Sequence, residues 1–429
     1  MNSVDLHNYS DFSLKAKAYA SQFNPCAILD SCDIQPQCQK GLYKLIIGWG
    51  GKIIEPKEGE NLKSIYSAWH QSEGWLFGVL GYNLKNEIEK LSSTKHSCFN
   101  WPDAGFFVPE MVITITWDDK LTMHGANTKD VFDSIERFEM DMNQKNTVTK
   151  NSPLIADFNE TDHYATIQKI KEQIKDGNVY ELNLCSRFLY EKFELANPYR
   201  LYDELIGISP SPFSAYFALD NRYVLSASPE RYLAKNGDTM VSQPIKGTRA
   251  RGKHLEDDTQ IKHELENSQK DRAENVMIVD LVRNDMARVA KAGTVKVEEL
   301  FGIYSYSHVH QMVSTIISKL DTAYTWKDAI RATFPMGSMT GAPKIAAMNW
   351  IDFYEHSNRE WFSGALGYID PQGNMDFNVL IRSMFYDSTL HKIAYYAGGA
   401  ITIDSDADEE YREMLLKAKA IDGLLAKYF

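Results

Sequence analysis

The 429-residue sequence has little cysteine, no long apolar run, no excess of basic charge and no internal repeat. Each absence removes a class of protein. Five cysteines (Cys26, Cys32, Cys38, Cys98 and Cys185) are an odd set, too sparse for a disulfide framework. Cys26, Cys32 and Cys38 are evenly spaced, but the spacing is not a zinc pattern and no histidine pair accompanies it. They read as reduced thiols. No apolar stretch approaches the roughly 20 residues that span a bilayer, so no membrane association is expected. The start, Met1-Asn2-Ser3-Val4-Asp5, lacks the basic-then-apolar pattern of a signal peptide, so a cytoplasmic location is expected. A formal charge of -12 argues against a nucleic-acid partner, because phosphate binding needs a basic face. A few local Arg and Lys can still dominate one pocket for an anionic small molecule. No Walker-type loop or dinucleotide fingerprint is present.

What is present favours a large folded core. Hydrophobic residues make up 44% of the chain, which is inconsistent with intrinsic disorder. The length allows two domains, or one large two-sheet domain with additions. The polar stretch Asn143 to Ser152 is the strongest linker candidate, dividing the chain into 1–150 and 151–429. In the first part, Ile113, Ile115 and Trp117 alternate with threonines, the period of a half-buried strand, and Asp118-Asp119-Lys120 reads as a hairpin turn. Val131, Ile135 and Phe138 predict a helix over 130–142. In the second part a helix is expected over 161–175, stopping near Asp176-Gly177. Phe213–Leu219 turns at Asp220-Asn221 into Tyr223–Ala227, and Tyr232–Lys235 turns at Asn236-Gly237 into Met240–Ile245. Residues 257–290 read as helical, 364–403 as strands, and a last helix starts near Asp406. Sheets made of hairpins rather than alternating strand–helix units predict an α+β fold.

The second hairpin carries the first chemical candidates. Counting back from Asn236-Gly237 puts Glu230 opposite about Gln243, with Lys246 at the same end. A carboxyl and an amine held together can act as general acid and nucleophile. On position alone an exposed ion pair is the commoner explanation. Glu410 and Glu413 share one face of the last helix, with Lys417 one turn further, and Glu274 precedes the apolar run Val276–Val279. Such carboxylates suit magnesium, which takes a few carboxylates, waters and an anionic substrate. Without further context the commoner explanation is a solvated helix face for Glu410 and Glu413 and an ordinary charge for Glu274.

From about residue 160 onward the chain resembles the chorismate-utilising enzymes, the family of anthranilate, aminodeoxychorismate, isochorismate and salicylate synthases. The resemblance rests on ordered blocks: Tyr180–Phe188, Ser228–Arg231, Pro244–Arg249, Glu274–Asp285, Thr340–Lys344, Gly367-Tyr368, Ile381–Ser383, Ala397–Gly399 and Glu410–Glu413. Gly74–Glu87 extends it into the first part, with Asn83 where Asp is commoner in the aminodeoxychorismate synthases. The early strand that helps form a tryptophan pocket in related enzymes has its counterpart at Ala27–Cys32, whose divergence supports no inference of tryptophan regulation.

The resemblance implies two large antiparallel sheets packed face to face with helices outside. It implies chorismate as substrate and Mg2+ as cofactor, with Glu274, Glu410 and Glu413 as the metal group. Glu230 would protonate the departing C4 hydroxyl. Gly247, Thr248, Tyr368, Arg382, Lys417 and the backbone at Gly399 would hold the substrate, Arg382 by a two-bond fork to a carboxylate. Anthranilate synthases usually carry Ala where this chain has Lys246. Aminodeoxychorismate synthases carry Lys, thought to add to C2 before ammonia enters at C4. A lysine attacks only as the neutral amine, which desolvation or a nearby cation favours. Anthranilate synthases commonly have a His, associated with pyruvate loss, two residues before a Val-Ser pair; Gln311 stands there, and a one-residue slip would recruit His310 instead. Isochorismate and salicylate synthases generally carry a Lys base at the position of Glu181, so water activation is not expected. Ammonia users often have Gln there, and the role of Glu181 is open.

No cysteine sits in a glycine-rich nucleophile turn, and Cys185 reads as core. Ammonia is therefore expected from a separate glutamine amidotransferase subunit. The resemblance thus implies an enzyme turning chorismate and ammonia into 4-amino-4-deoxychorismate, for 4-aminobenzoate and folate synthesis. The alternatives are anthranilate formation and a non-catalytic chorismate-binding subunit.

Overall fold

The computed structural model describes residues 3–5, 9–35, 41–140, 146–150, 152–306 and 308–428. Met1, Asn2, Cys38, the end of the helix expected over 130–142, and residues 143–145 and 151 of the expected linker lie outside the described residues. Two large sheets, of twelve and ten strands, form the body, and every described strand pairing is antiparallel. The hairpin Phe213–Leu219 with Arg222–Ser228 lies in the larger sheet. The hairpin Arg231–Asn236 with Thr239–Gln243 lies in the smaller one. Helices Glu160–Lys175 and Ala407–Leu425 appear where the apolar spacing places them, the second capped by Asp406.

The sheets pack face to face. Phe217 and Ile46 of the larger sheet share one core with Phe77, Phe107 and Phe377 of the smaller. The gap is narrow enough to demand a glycine. A Cβ on Gly48 would lie 2.5–2.9 Å from the Phe77 ring. Gly48→Ala would push that ring from its place, at roughly 1–3 kcal/mol for an overpacked core. The outer face of the larger sheet is covered by Phe12 and Ala16 of helix Tyr9–Ala20, Leu201 and Leu205 of Pro198–Ile208, and Met414 and Ile421 of Ala407–Leu425. Helix Gln269–Ala287 puts Ile278, Val279, Val282 and Met286 against the smaller sheet. No helix among the described residues is long and apolar enough to cross a membrane.

Several expectations are corrected. The boundary near residue 150 does not separate two folded units. Cys26–Asp30 pairs with Phe213–Leu219, and Leu76–Leu80 with Ala365–Ile369, so strands from both sides build both sheets. Part of the expected linker, Val148–Lys150, is itself a short strand paired with Phe193–Leu195. Trp117 sits in the turn after Met111–Ile115 rather than in the strand, its indole donating to the Gly41 carbonyl (3.2 Å). The helix expected over 130–142 spans Thr128–Glu136. The helical run 257–290 is two helices, broken at Ser268, whose side chain caps the second by accepting from the Asp271 amide. That break matters because it sets Lys270, Asp271 and Glu274 in the first turns of a new helix.

Candidate active site

Where both sheets and two helices meet, a cavity of about 1060 Å3, counting its open mouth, collects most of the candidate residues. Lys246, Gly247 and Thr248 reach it from the strand Ile245–Ala250, and Glu230 from the segment before Arg231–Asn236. Helix Gln269–Ala287 contributes Lys270, Asp271 and Glu274, and helix Ala407–Leu425 contributes Glu410, Glu413 and Lys417. The lysine strand is kinked where it matters. Its register against Val309–Lys319 shifts between Ile245 and Thr248, and Gly247 sits at φ +86. A Cβ at Gly247 would also lie 2.9 Å from the Asp271 carboxylate, so only glycine fits the kink that presents Lys246.

Lys246 Nζ donates to Glu181 Oε1 at 2.8 Å. Lys246 is 8% exposed and Glu181 0%. Burial pulls the Lys246 pKa down, but the charge of Glu181, then that of Glu274, outweighs it, and the net shift is upward. The expected condition for a nucleophilic lysine, desolvation or a neighbouring cation, is thus reversed. Lys246 rests as an ammonium beside a ready proton acceptor.

Glu230 is buried, and that burial pushes its pKa up to about 7 against the opposing effects of a Ser338 hydrogen bond and the Lys246 charge. The Ser338 hydroxyl donates to Glu230 Oε1. Asn183 Nδ2 fixes the same turn through the Ser338 carbonyl (2.9 Å). A carboxyl half-protonated near neutrality suits a general acid. The expected register needs a correction of one step. A bulge between Arg231 and Ala234 pairs Arg231, not Glu230, with Gln243, and Arg231 Nη1 also donates to the Gln243 side chain at 2.7 Å.

Glu274 is 9% exposed, with Oε1 unpartnered, and burial raises its pKa to about 7. Glu410 Oε1 accepts from Ser405 Oγ at 2.7 Å and from Lys270 Nζ at 3.1 Å. Glu413 pairs with Lys417 at 2.7 Å, and this charge holds its carboxyl below the usual range. Three carboxylates on one cavity, one with a bare buried oxygen, supply the hard oxygen donors magnesium takes. The donor chemistry fits. As arranged, among the described residues no three acidic, His or Cys side chains close around one point, and ammonium groups hold two of these glutamates.

Arg382 lines the cavity at φ +50, without an ion-pair partner among the described residues, and burial lowers its pKa. Gly398 and Ala400 line it as well, while a Cβ on Gly399 would lie 3.1 Å from Glu410 Oε2. Gln311 faces the cavity with Oε1 unpartnered. Its neighbour His310 is turned elsewhere, bonded to Asp258 at 2.9 Å and Ser305 at 2.8 Å. Cys185 is buried in the strand Glu181–Tyr190, at the cavity wall.

Tyr368 is not at this site. It lines a second cavity of about 500 Å3 with Asp30, Ser31, Tyr43, Arg231 and Asp376, its ring 5.7 Å from that of Tyr43. Side chains alternate along the strand Ala365–Ile369, and position 368 falls on the face toward that second cavity. Sequence reasoning missed Ser338 and Lys270. For Lys270 a signal existed, since it lies four residues before Glu274 on one helix face. Ser338 carried none beyond its place two residues before the block Thr340–Lys344.

Comparison with known proteins gives one family. A family model described as chorismate binding enzyme matches residues 33–423. Anthranilate synthase component 1 of Saccharolobus solfataricus is 34% identical over 81% of this chain and 80% of its own. Aminodeoxychorismate synthase component 1 of Bacillus subtilis is 31% identical over 86% and 83%. In fold, the crystal structure of anthranilate synthase component I from Streptococcus pneumoniae superposes with a TM-score of 0.77 at 23% identity, covering 90% of this chain and 95% of that one.

Proposed function

This chain belongs to the chorismate-binding enzymes, and on that premise we propose that it aminates chorismate at C4 to give 4-amino-4-deoxychorismate. The observation that carries the reading is Lys246, set in the cavity with Glu181 at 2.8 Å and the poised acid Glu230 on the same wall. Relatives of comparable identity bear both the aminodeoxychorismate and the anthranilate name. Gln311, where a His would accompany pyruvate loss, favours retention of the side chain.

Arg382 and Lys417 meet the substrate carboxylates. Glu274, Glu410 and Glu413 would hold magnesium, which supplies positive charge against one of those carboxylates. Lys246 passes a proton to Glu181 and its neutral nitrogen attacks C2. The two conjugated ring double bonds shift (C1=C2 to C1=C6, C5=C6 to C4=C5), the C4–O bond breaks, and Glu230 gives the leaving hydroxyl the proton that makes it water. Ammonia then attacks C4, both double bonds shift back, and the C2–N bond breaks to free Lys246. The surplus proton on the new amine returns to Glu230, and Glu181 gives its proton back to the freed Lys246. The sum is chorismate plus ammonia to 4-amino-4-deoxychorismate plus water. The name component 1 on relatives supports a second component here, a glutamine amidotransferase delivering ammonia. The product serves 4-aminobenzoate and folate synthesis in the cytoplasm.

Purified protein with chorismate, ammonium and magnesium tests this by product mass. An aminated product that keeps the enolpyruvyl group is expected. Anthranilate with free pyruvate would replace the reading, and no turnover at all would favour a non-catalytic chorismate-binding subunit.

A further inference from the structure

Three ammonium groups face the carboxylates of this cavity, and they are held very differently. Lys246 is buried against Glu181. Lys417 is pinned twice, to Glu413 at 2.7 Å within its own helix and to the Gly398 carbonyl at 2.9 Å. Among the described residues Lys270 makes one bond, 3.1 Å to Glu410 Oε1, and its side chain is 41% exposed while that of Glu410 is 3% exposed. Ser405 already donates to the same Glu410 oxygen at 2.7 Å, so Glu410 keeps a hydrogen bond when Lys270 leaves. Lys270 alone has both a weak hold and an open path to solvent.

We propose that Lys270 is a displaceable internal cation, which neutralises Glu410 in the metal-free protein and swings into solvent as a divalent ion enters among Glu274, Glu410 and Glu413. This rests on the metal part of the proposed function. Charge supports it. At the metal end of the cavity Lys270 pairs with Glu410 and Lys417 with Glu413, so withdrawing Lys270 leaves Glu410 without its cation, a negative charge that an entering divalent ion offsets. Geometry supports it too. Lys270 and Glu274 lie four apart on one helix, hence on one face, yet Glu274 Oε1 is buried and unpartnered. The bare oxygen and the weakly held lysine therefore flank the same part of the cavity. A lysine ammonium is a flexible point charge that yields more readily than a rigid guanidinium fork. Lys270 thereby sets the affinity of the site for its ion.

The test uses the full chain without chorismate. Mn2+ is titrated as the probe, by calorimetry and by its paramagnetic resonance signal, while Lys270 is footprinted with an amine-acylating reagent read by mass spectrometry. Lys270 acylation should rise with Mn2+ along the binding curve. Lys270→Met should bind Mn2+ roughly fivefold more tightly, the size of one partly exposed ion pair, and Lys270→Arg should not. Bound Mn2+ with Lys270 acylation flat or falling overturns the displacement while leaving the metal assignment intact. Unchanged or weaker binding in Lys270→Met overturns it as well. Wild-type protein that binds no Mn2+ removes the metal assignment, and the inference with it.

Discussion

Lys246 and Glu181 form a buried ion pair that joins the two sheets, the lysine from a strand of the smaller and the glutamate from a strand of the larger, with 2.8 Å between Nζ and Oε1. The pair fixes the resting charge of the lysine and supplies the base that removes its proton. It also ties catalysis to the sheet packing, because its two partners come from different sheets.

Removing only the lysine strands a carboxylate that is 0% exposed. Lys246→Met should lower stability by about 3 kcal/mol, the lower end for a broken buried pair, since Glu181 can take up a proton. Lys246→Met with Glu181→Leu should recover most of that loss. Chemical-denaturation midpoints of the two variants decide it. A double variant no more stable than the single one would show that the pair is not what the sheets share.

Glu230 ties activity and stability to pH. Its carboxyl, ordinarily near 4.5, sits at about 7 because of burial. The folded state thus holds a proton that the unfolded state releases, and stability falls as pH rises across that window, by roughly 3 kcal/mol at most. The acid form needed for hydroxyl departure is lost above about pH 7. Ser338 donates to the carboxylate and holds its pKa down. Ser338→Ala should therefore move the alkaline limb of kcat/KM to higher pH, and Ser338→Thr should restore it. A pH profile identical in all three proteins would separate Ser338 from the acid.

Position 311 tests the product branch. Gln311 faces the cavity with an unpartnered oxygen, at the position where the family resemblance implies a His for anthranilate formation. Gln311→His should give a fraction of product that has lost pyruvate, seen by mass and by coupled pyruvate detection. Strict retention of the side chain in that variant would place the branch elsewhere.

Arg382, without an ion-pair partner among the described residues, offers its guanidinium to a carboxylate. Arg382→Gln should raise KM for chorismate about 30-fold, corresponding to about 2 kcal/mol for a charge-assisted hydrogen bond. Its effect on kcat should be smaller. A fall in kcat with KM unchanged would move Arg382 from binding to chemistry.

The sequence made part of this legible. Hairpin turns such as Asp220-Asn221 and the helix cap at Asp406 are local signals, and they place strands and helices correctly. Ordered motif blocks name Lys246, Glu230 and the three glutamates, and these do meet in one cavity. What was hidden is what depends on register and on packing between sheets. Glu181 and Lys246 are 65 positions apart and meet only because two sheets stack. A single bulge shifts Arg231 onto Gln243, and strand parity sends Tyr368 to the second cavity despite its place among the motif blocks. The polar stretch before residue 152 looks like a domain linker, yet strands on both sides of it pair with one another. Local polarity reports exposure, not where folding units end.

The central claim is that Lys246 bonds to the substrate ring. Mixing the protein with chorismate and magnesium, without ammonium, and recording the intact and peptide masses tests it directly. The account predicts an added mass of chorismate less one water, confined to Lys246, which disappears when ammonium is supplied. Unmodified Lys246, together with a Lys246→Ala variant that aminates chorismate at the wild-type rate, would contradict it.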